Sequence, residues 1–222
     1  MTAEPNVPSR GTAGGEAPVR TSAEDPTDPT AILAEQRALQ AEADEVVADL
    51  ELAGPLAERG EAVRVGSSAL GLMVRRDIDI TVVCPDLGDG VKKAVADIGA
   101  ALAVHDRVRQ VRFRDDTGHW NTDPMYPDGL YLGVEYRSEA GREWTLDIWF
   151  VDEPDRQPDL AHVRALPPRL TDAHRVRILR IKQALAARPG DGTPGYDVYR
   201  AVLDHGIATP GEFDAWRAGT GE

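Results

Sequence analysis

The chain is short of cysteine and of positive charge, and both shortages narrow what it can be. A single cysteine, Cys84, stands among 222 residues, so no internal disulfide can close and no Cys-x-x-Cys spacing exists to hold zinc. It follows the apolar run Ile80 to Val83 and reads as a buried strand residue rather than a reactive thiol. No run of about 18 apolar residues is present, the length a membrane helix needs. The N-terminus shows no basic stretch followed by an apolar one, as a secretory signal would. The expectation is a soluble, cytoplasmic protein with no membrane partner. Against 38 Asp and Glu stand only 25 Lys and Arg, a formal net charge of −13. A nucleic-acid partner is therefore disfavoured, because proteins that grip a phosphate backbone usually present a basic face. Neutral or cationic partners suit this charge better. The five histidines fall at no paired metal-ligand spacing and are given no role.

What is present is enough for one folded core with a helical appendage. Residues 1–28 are rich in Pro, Gly, Ala, Thr and Glu and nearly free of large apolar groups. Such a segment buries too little surface to offset its ordering entropy, so a disordered leader is expected. From 29 to 153 the pattern alternates helices and strands, and from 154 to 222 it is helical. Thr30 is placed to cap a helix whose apolar stripe runs from Ile32 to Leu52, with Gly54 and Pro55 ending it. Glu61 to Gly66 reads as a strand, Ala69 to Val74 as a helical turn or two, and Asp77 to Cys84 as a strand. A helix fits Gly90 to Val104, and Arg107 to Arg114 alternates arginine with apolar residues, giving one core face and one basic face. Asp115 to Gly129 is a long loop holding Trp120 and Tyr126. Leu130 to Arg137 and Glu143 to Val151 flank Gly141 and form a hairpin. A proline-rich break covers Pro154 to Pro168, after which Thr171 and Asp172 cap a helix, and shorter helices fit Tyr196 to Asp204 and Gly211 to Arg217. The class is α+β: a mixed β-sheet core, flanking helices and a C-terminal helical subdomain.

Chemistry concentrates in Gly66-Ser67, in Asp77-Ile78-Asp79 after nine intervening residues, and in Asp147 within the run Trp144 to Phe150. Strand residues i and i+2 point to one face, so Asp77 and Asp79 stand side by side. Two such carboxylates repel and favour a cation between them, and hard divalent ions prefer carboxylate and phosphate oxygens. Leu146 and Ile148 should face the core, which puts Asp147 on the opposite surface. A glycine after a strand lets backbone amides approach a phosphate, and a serine hydroxyl adds a donor.

These residues resemble the DNA polymerase beta-like nucleotidyltransferase superfamily, whose core carries Gly-Ser, then about ten residues, Asp-x-Asp, and a distant third acid on a strand. The resemblance spans residues 61–150. It implies that Asp77 and Asp79 bind Mg2+, that Gly66 and Ser67 hold the phosphates of a nucleoside triphosphate, and that Asp147 binds metal or takes the acceptor proton. Glu135 and Asp152 are the alternatives for the third acid. Arg175, Arg177, Arg180 and Lys182 crowd one helix, and Lys182 is the candidate to reach the triphosphate. Trp120 and Tyr126 are the aromatic residues placed to stack on a base or an acceptor. The implied reaction moves a nucleoside monophosphate, AMP by preference, to a hydroxyl of a small-molecule acceptor such as an antibiotic. A protein acceptor, or an inactive nucleotide-binding module of the same fold, are the other readings.

Overall fold

The computed structural model describes residues 28–220; apart from Asp28, the expected leader lies outside them. Helix α1 (Pro29–Asp49) opens with proline at its first position, where a missing N–H costs nothing. Its cap is Asp28, whose carboxylate accepts from the Thr30 amide at 3.0 Å. The cap therefore lies two residues before the expected Thr30, and Thr30 itself lies in the first turn. Gly54 and Pro55 do not end this helix either. They sit in the first turn of a short second helix, α2 (Ala53–Ala57), where an absent proline N–H is again tolerated.

Five strands follow with helices between them: β1 (Glu61–Val65), α3 (Gly66–Leu70), β2 (Asp77–Val83), α4 (Asp89–Ala103), β3 (Val108–Asp116), β4 (Gly129–Arg137) and β5 (Glu143–Val151). Four more helices close the chain: α5 (Pro158–Ala165), α6 (Asp172–Ala186), α7 (Gly195–His205) and α8 (Pro210–Thr220). Helix α3 begins at Gly66, three residues before the expected turn. Helix α5 lies inside what reads as a proline-rich break, because Pro158 occupies its first turn and proline there starts a helix rather than stopping one. Thr171 caps α6 as expected, accepting from the His174 amide at 3.2 Å.

The strands form one mixed sheet in the order β1-β2-β5-β4-β3. Strands β2 and β5 run parallel, and the other neighbours are antiparallel. The expected hairpin is β4 and β5, joined through Gly141 at φ +76°. Side-chain alternation gives the sheet two unlike faces. Ile78, Ile80 and Val82 of β2, Leu146, Ile148 and Phe150 of β5, and Leu130, Leu132 and Val134 of β4 turn to one face. There they pack with Ala43 and Val46 of α1 and Val95 and Leu102 of α4. Each such aliphatic side chain contributes about 1.5–3 kcal/mol relative to exposure. A second core joins Leu70 and Leu72 to the apolar stripes of α6, α7 and α8, so the C-terminal helices are anchored beside β2 through α3.

Strand β3 departs from strict alternation. An extra residue at Arg109, between the pairs Val108–Tyr136 and Gln110–Glu135, makes a bulge. The bulge returns both Val108 and Val111 to the core and leaves Arg112 and Arg114 on the other face.

Candidate active site

The sheet's second face carries the acids. Parallel pairing of β2 with β5 puts Asp79 directly opposite Asp147, and Asp77 opposite Thr145. In-register partners share a face, so Asp77, Asp79 and Asp147 stand together while Ile78, Leu146 and Ile148 are fully buried behind them. The two alternatives for the third acid lie elsewhere. Glu135 is on the same face but one strand further away, on β4, and Asp152 follows the end of β5, exposed.

Gly66 makes the turn out of β1 at φ +63°, a conformation that other residues adopt only under strain. A Cβ there would come within 2.2 Å of Asp79 Oδ2, so the absent side chain is what lets the Asp79 carboxylate lie against the backbone of this turn. Ser67 follows, buried. Helix α3 ends in Gly71 at φ +67°, and the Arg175 guanidinium donates to the carbonyls of Leu70 and Gly71. Arg175 thereby fixes the bend beside the site instead of entering it.

Between this turn and helices α5, α6 and α7 lies a cleft of about 230 Å3, whose lining includes Gly66, Ser67, Asp77, Asp79 and Lys182. Lys182 Nζ donates to the Leu72 carbonyl at 2.7 Å and to the Tyr199 hydroxyl at 3.3 Å. Burial pulls its ammonium down to about 8, against the opposing pull of Asp77 and Asp79. Arg177 and Arg180 do not line the cleft.

Burial first, and then the negative charges of Asp77, Asp147 and Asp159, push the Asp79 carboxyl up to about 7, with Lys182 acting in the opposite sense. Nearby like charges that resist ionisation mark a site short of positive charge. No three His, Cys, Asp or Glu side chains among the described residues already converge closely enough to cage a metal ion. The donor set nonetheless fits Mg2+, which is held by one or two carboxylates and fills its remaining positions with phosphate oxygens and water. Asp77 and Asp79, both lining the cleft, are the pair that would hold it.

Of the aromatic candidates, Trp120 and Tyr126 are 62% and 46% exposed. Both rim a groove that also contains Arg114, Trp149 and Asp159. Their loop is held in shape by Asn121, which donates to Asp128 at 3.1 Å, and by Arg156, which donates to the Tyr126 carbonyl at 3.1 Å. Asp159 lines both groove and cleft, so the two adjoin. Trp144 is buried on the far face and donates to Glu42 at 3.2 Å.

Four further residues escape sequence reasoning. His162 stacks on Tyr196 with ring centres 4.0 Å apart, at the cleft wall with Asp159. One signal was available: Asp159 and His162 are spaced i, i+3, but only on a helix that the surrounding prolines conceal. Tyr131 donates to Asp147 Oδ1 at 2.5 Å, a contact between neighbouring strands with no local signature.

No family model and no curated relative matches the sequence. Solved structures do resemble it. Cid1, studied for its RNA terminal uridylyl transferase activity, superposes with a TM-score of 0.50 at 17% identity, over 78% of this chain and 48% of that one. A Cid1 poly(U) polymerase variant bound to MgATP gives 0.50 and 17% over 80% and 51%. E. coli MS115-1 CdnC with ATP gives 0.45 and 15% over 84% and 67%. The chain thus spans about half the length of the Cid1 structures. At this identity the likeness is one of fold, and it agrees with the resemblance carried by Gly66-Ser67 and the three aspartates: the chain has the α+β nucleotidyltransferase fold.

Proposed function

We propose that the chain is a metal-dependent nucleotidyltransferase. The observation that carries this reading is the pairing of Asp79 with Asp147 across parallel strands, with Asp77 beside them and the Gly66-Ser67 turn lining one cleft with Asp77 and Asp79. Asp77 and Asp79 would hold Mg2+, which when bound neutralises phosphate charge and polarises the reacting phosphorus. The backbone amides at Gly66 and Ser67, the Ser67 hydroxyl and the Lys182 ammonium bind and orient the triphosphate from the cleft walls. Asp147, opposite Asp79 on β5, would join Asp77 and Asp79 on the metal and accepts the proton of the acceptor hydroxyl. That oxygen bonds to the α-phosphorus, the bond from α-phosphorus to the bridging oxygen breaks, and pyrophosphate leaves with the electron pair. Most of the acceleration then comes from positioning and charge neutralisation.

The acceptor in this reading is a small molecule with a free hydroxyl, an antibiotic-like compound among them, and AMP is the group moved. Net charge of −13 supports it. So does the pairing of two β3 arginines with acids of the chain itself, Arg114 with Asp116 at 2.7 Å and, at the bulge, Arg109 with Glu135 at 3.9 Å. A second reading, transfer to an RNA end, is favoured by the presence of Arg109, Arg112 and Arg114 along β3 and by the RNA terminal uridylyl transferase activity of Cid1.

The test is pyrophosphate release from each of the four ribonucleoside triphosphates with Mg2+, against a panel of hydroxylated small molecules and an oligoribonucleotide. Turnover should appear with one acceptor class and fall at least about 100-fold in Asp77→Asn and Asp79→Asn. Undiminished turnover in both variants would refute the carboxylate assignment.

A further inference from the structure

We propose that Tyr131 is the positioning residue for Asp147, and that Gly133 is the notch through which it acts. The inference rests on the nucleotidyltransferase reading for what Asp147 does, but its geometry stands alone. Tyr131 and Gly133 lie two apart on β4 and share the acid-bearing face, where Gly133 is the register partner of Asp147 and Tyr131 the partner of Trp149. A tyrosine seated opposite Trp149 reaches Asp147 only by lying along its own strand, over residue 133. There the Tyr131 hydroxyl comes to 2.4 Å, and its ring carbon Cζ to 2.9 Å, from where a Cβ on residue 133 would be. Any side chain at that position would push the ring away. With glycine there, the hydroxyl reaches Asp147 Oδ1 and donates to it at 2.5 Å.

Two neighbours hold the ring in that pose, and each is itself held. The Arg114 guanidinium lies over it at 4.8 Å from its centre and over Trp149 at 5.3 Å. Trp149 packs against it with centres 5.0 Å apart. Arg114 is tied in turn to Asp116, with Nε donating to the carboxylate at 2.8 Å. Tyr131 is thus clamped before it meets the carboxylate.

The consequence is chemical. A carboxylate has two oxygens, and one of them is engaged by a strong charge-assisted donor. The rotamer of Asp147 is fixed, and Oδ2 is the oxygen left to face a cation or an acceptor proton. Outer partners of this kind orient the groups that do the chemistry, and their loss typically costs 10- to 100-fold in metal affinity or activity.

The test compares Tyr131→Phe, which keeps the ring and its stacking but deletes the donor, with Gly133→Ala, which keeps the hydroxyl but displaces it. Calorimetric titration with Mn2+ is run on each protein, followed by steady-state transfer where an acceptor is in hand. Both variants should bind Mn2+ about 10- to 100-fold more weakly, with kcat falling and KM for the triphosphate little changed. Tyr131→Trp, which fills the space but carries no hydroxyl, should not restore binding. In the double variant the second substitution should add less than about 2-fold, because both act through one contact. Wild-type Mn2+ affinity in Tyr131→Phe would overturn the proposal, as would additive losses in the double variant. Asp77→Asn and Asp79→Asn separate the two readings. If they bind Mn2+ normally the carboxylate site itself fails, whereas if they lose it while Tyr131→Phe does not, only the role of Tyr131 fails.

Discussion

Gly66 and Asp79 occupy one another's space: a Cβ on Gly66 would sit 2.2 Å from Asp79 Oδ2. The turn that leaves β1 and the acid that projects from β2 are therefore a single feature, and neither can be altered without moving the other. Because Asp79 is also the register partner of Asp147, the displacement would pass to the acid-bearing face as a whole.

Gly66→Ala should accordingly fail in two ways. The positive φ of +63° costs an alanine about 1–2 kcal/mol, and the clash forces Asp79 out of place. Misplacing a reacting group by an ångström can cost about 100-fold in rate, and a loss of that size is expected in a transfer assay. Gly141→Ala is the control. It too sits at positive φ, +76°, but nothing lies within 4 Å of its Cβ position. Chemical denaturation should show about 1 kcal/mol lost there, with transfer unchanged. Equal effects of the two substitutions on transfer would show that backbone strain, and not the contact with Asp79, explains Gly66.

The pH dependence of stability should carry the mark of Asp49. Its carboxylate, at the end of α1, accepts from Arg107 Nε at 3.0 Å and from the Tyr136 hydroxyl at 2.7 Å, tying α1 to the start of β3 and the end of β4. The hydrogen bond from Arg107 is the main cause that holds this carboxyl below its ordinary 3.8; burial opposes it, and the Tyr136 hydroxyl adds to the lowering. A group depressed in the folded state stabilises above its unfolded value and loses that contribution as pH falls through the folded one. Asp49→Asn should thus be about 1 kcal/mol less stable than the parent at pH 7, and the gap should close below about pH 4. Urea melts at pH 7 and pH 3 decide it, and a gap that widens in acid would count against this account.

Thr81 offers a gain. It is fully buried on β2, and its hydroxyl has no hydrogen-bond partner. A buried donor without a partner carries an uncompensated desolvation cost. Thr81→Val keeps the branched shape that a strand favours and removes the orphan, so the melting temperature should rise by about 2–4 °C for a gain of about 1 kcal/mol. An unchanged or lower melting temperature would show that the hydroxyl finds a partner in solution.

What could be read from the sequence follows from how far each signal reaches. The alternation of Asp77, Ile78, Asp79 and Ile80 is local and has period two, so the strand and its acid-bearing face were legible. The same argument placed Asp147 opposite the core through Leu146 and Ile148, although not beside Asp79 in particular, because register between β2 and β5 is set by non-local packing. Helix α5 was hidden because Pro154, Pro158, Pro167 and Pro168 read as breakers, while proline in a first turn starts a helix. With α5 went Asp159 and His162 from the cleft wall. Tyr131 could not be found at all, since its meaning lies in Asp147, sixteen residues away on the neighbouring strand. The cap of α1 was missed by two residues because Asp28 and Thr30 are both good capping residues and only the path of the chain separates them.

The lone cysteine allows a prediction about accessibility. Cys84 follows β2, 3% exposed, among the core residues behind the sheet. Burial, followed by the negative charges of Asp152 and Asp86, pushes its thiol up to about 11. At pH 8 only about one molecule in a thousand then carries the thiolate, the form that reacts. Steric exclusion multiplies that factor, because a reagent must wait for the core to open. Iodoacetamide at pH 8 should therefore label the native protein at the rate of its opening and label it promptly in urea. Mass spectrometry across a urea series should show the labelled fraction rising with the unfolding transition followed by circular dichroism. Should Cys84 react in native buffer as fast as it does in urea, the packing between β2 and the helices behind it would have to be looser than described.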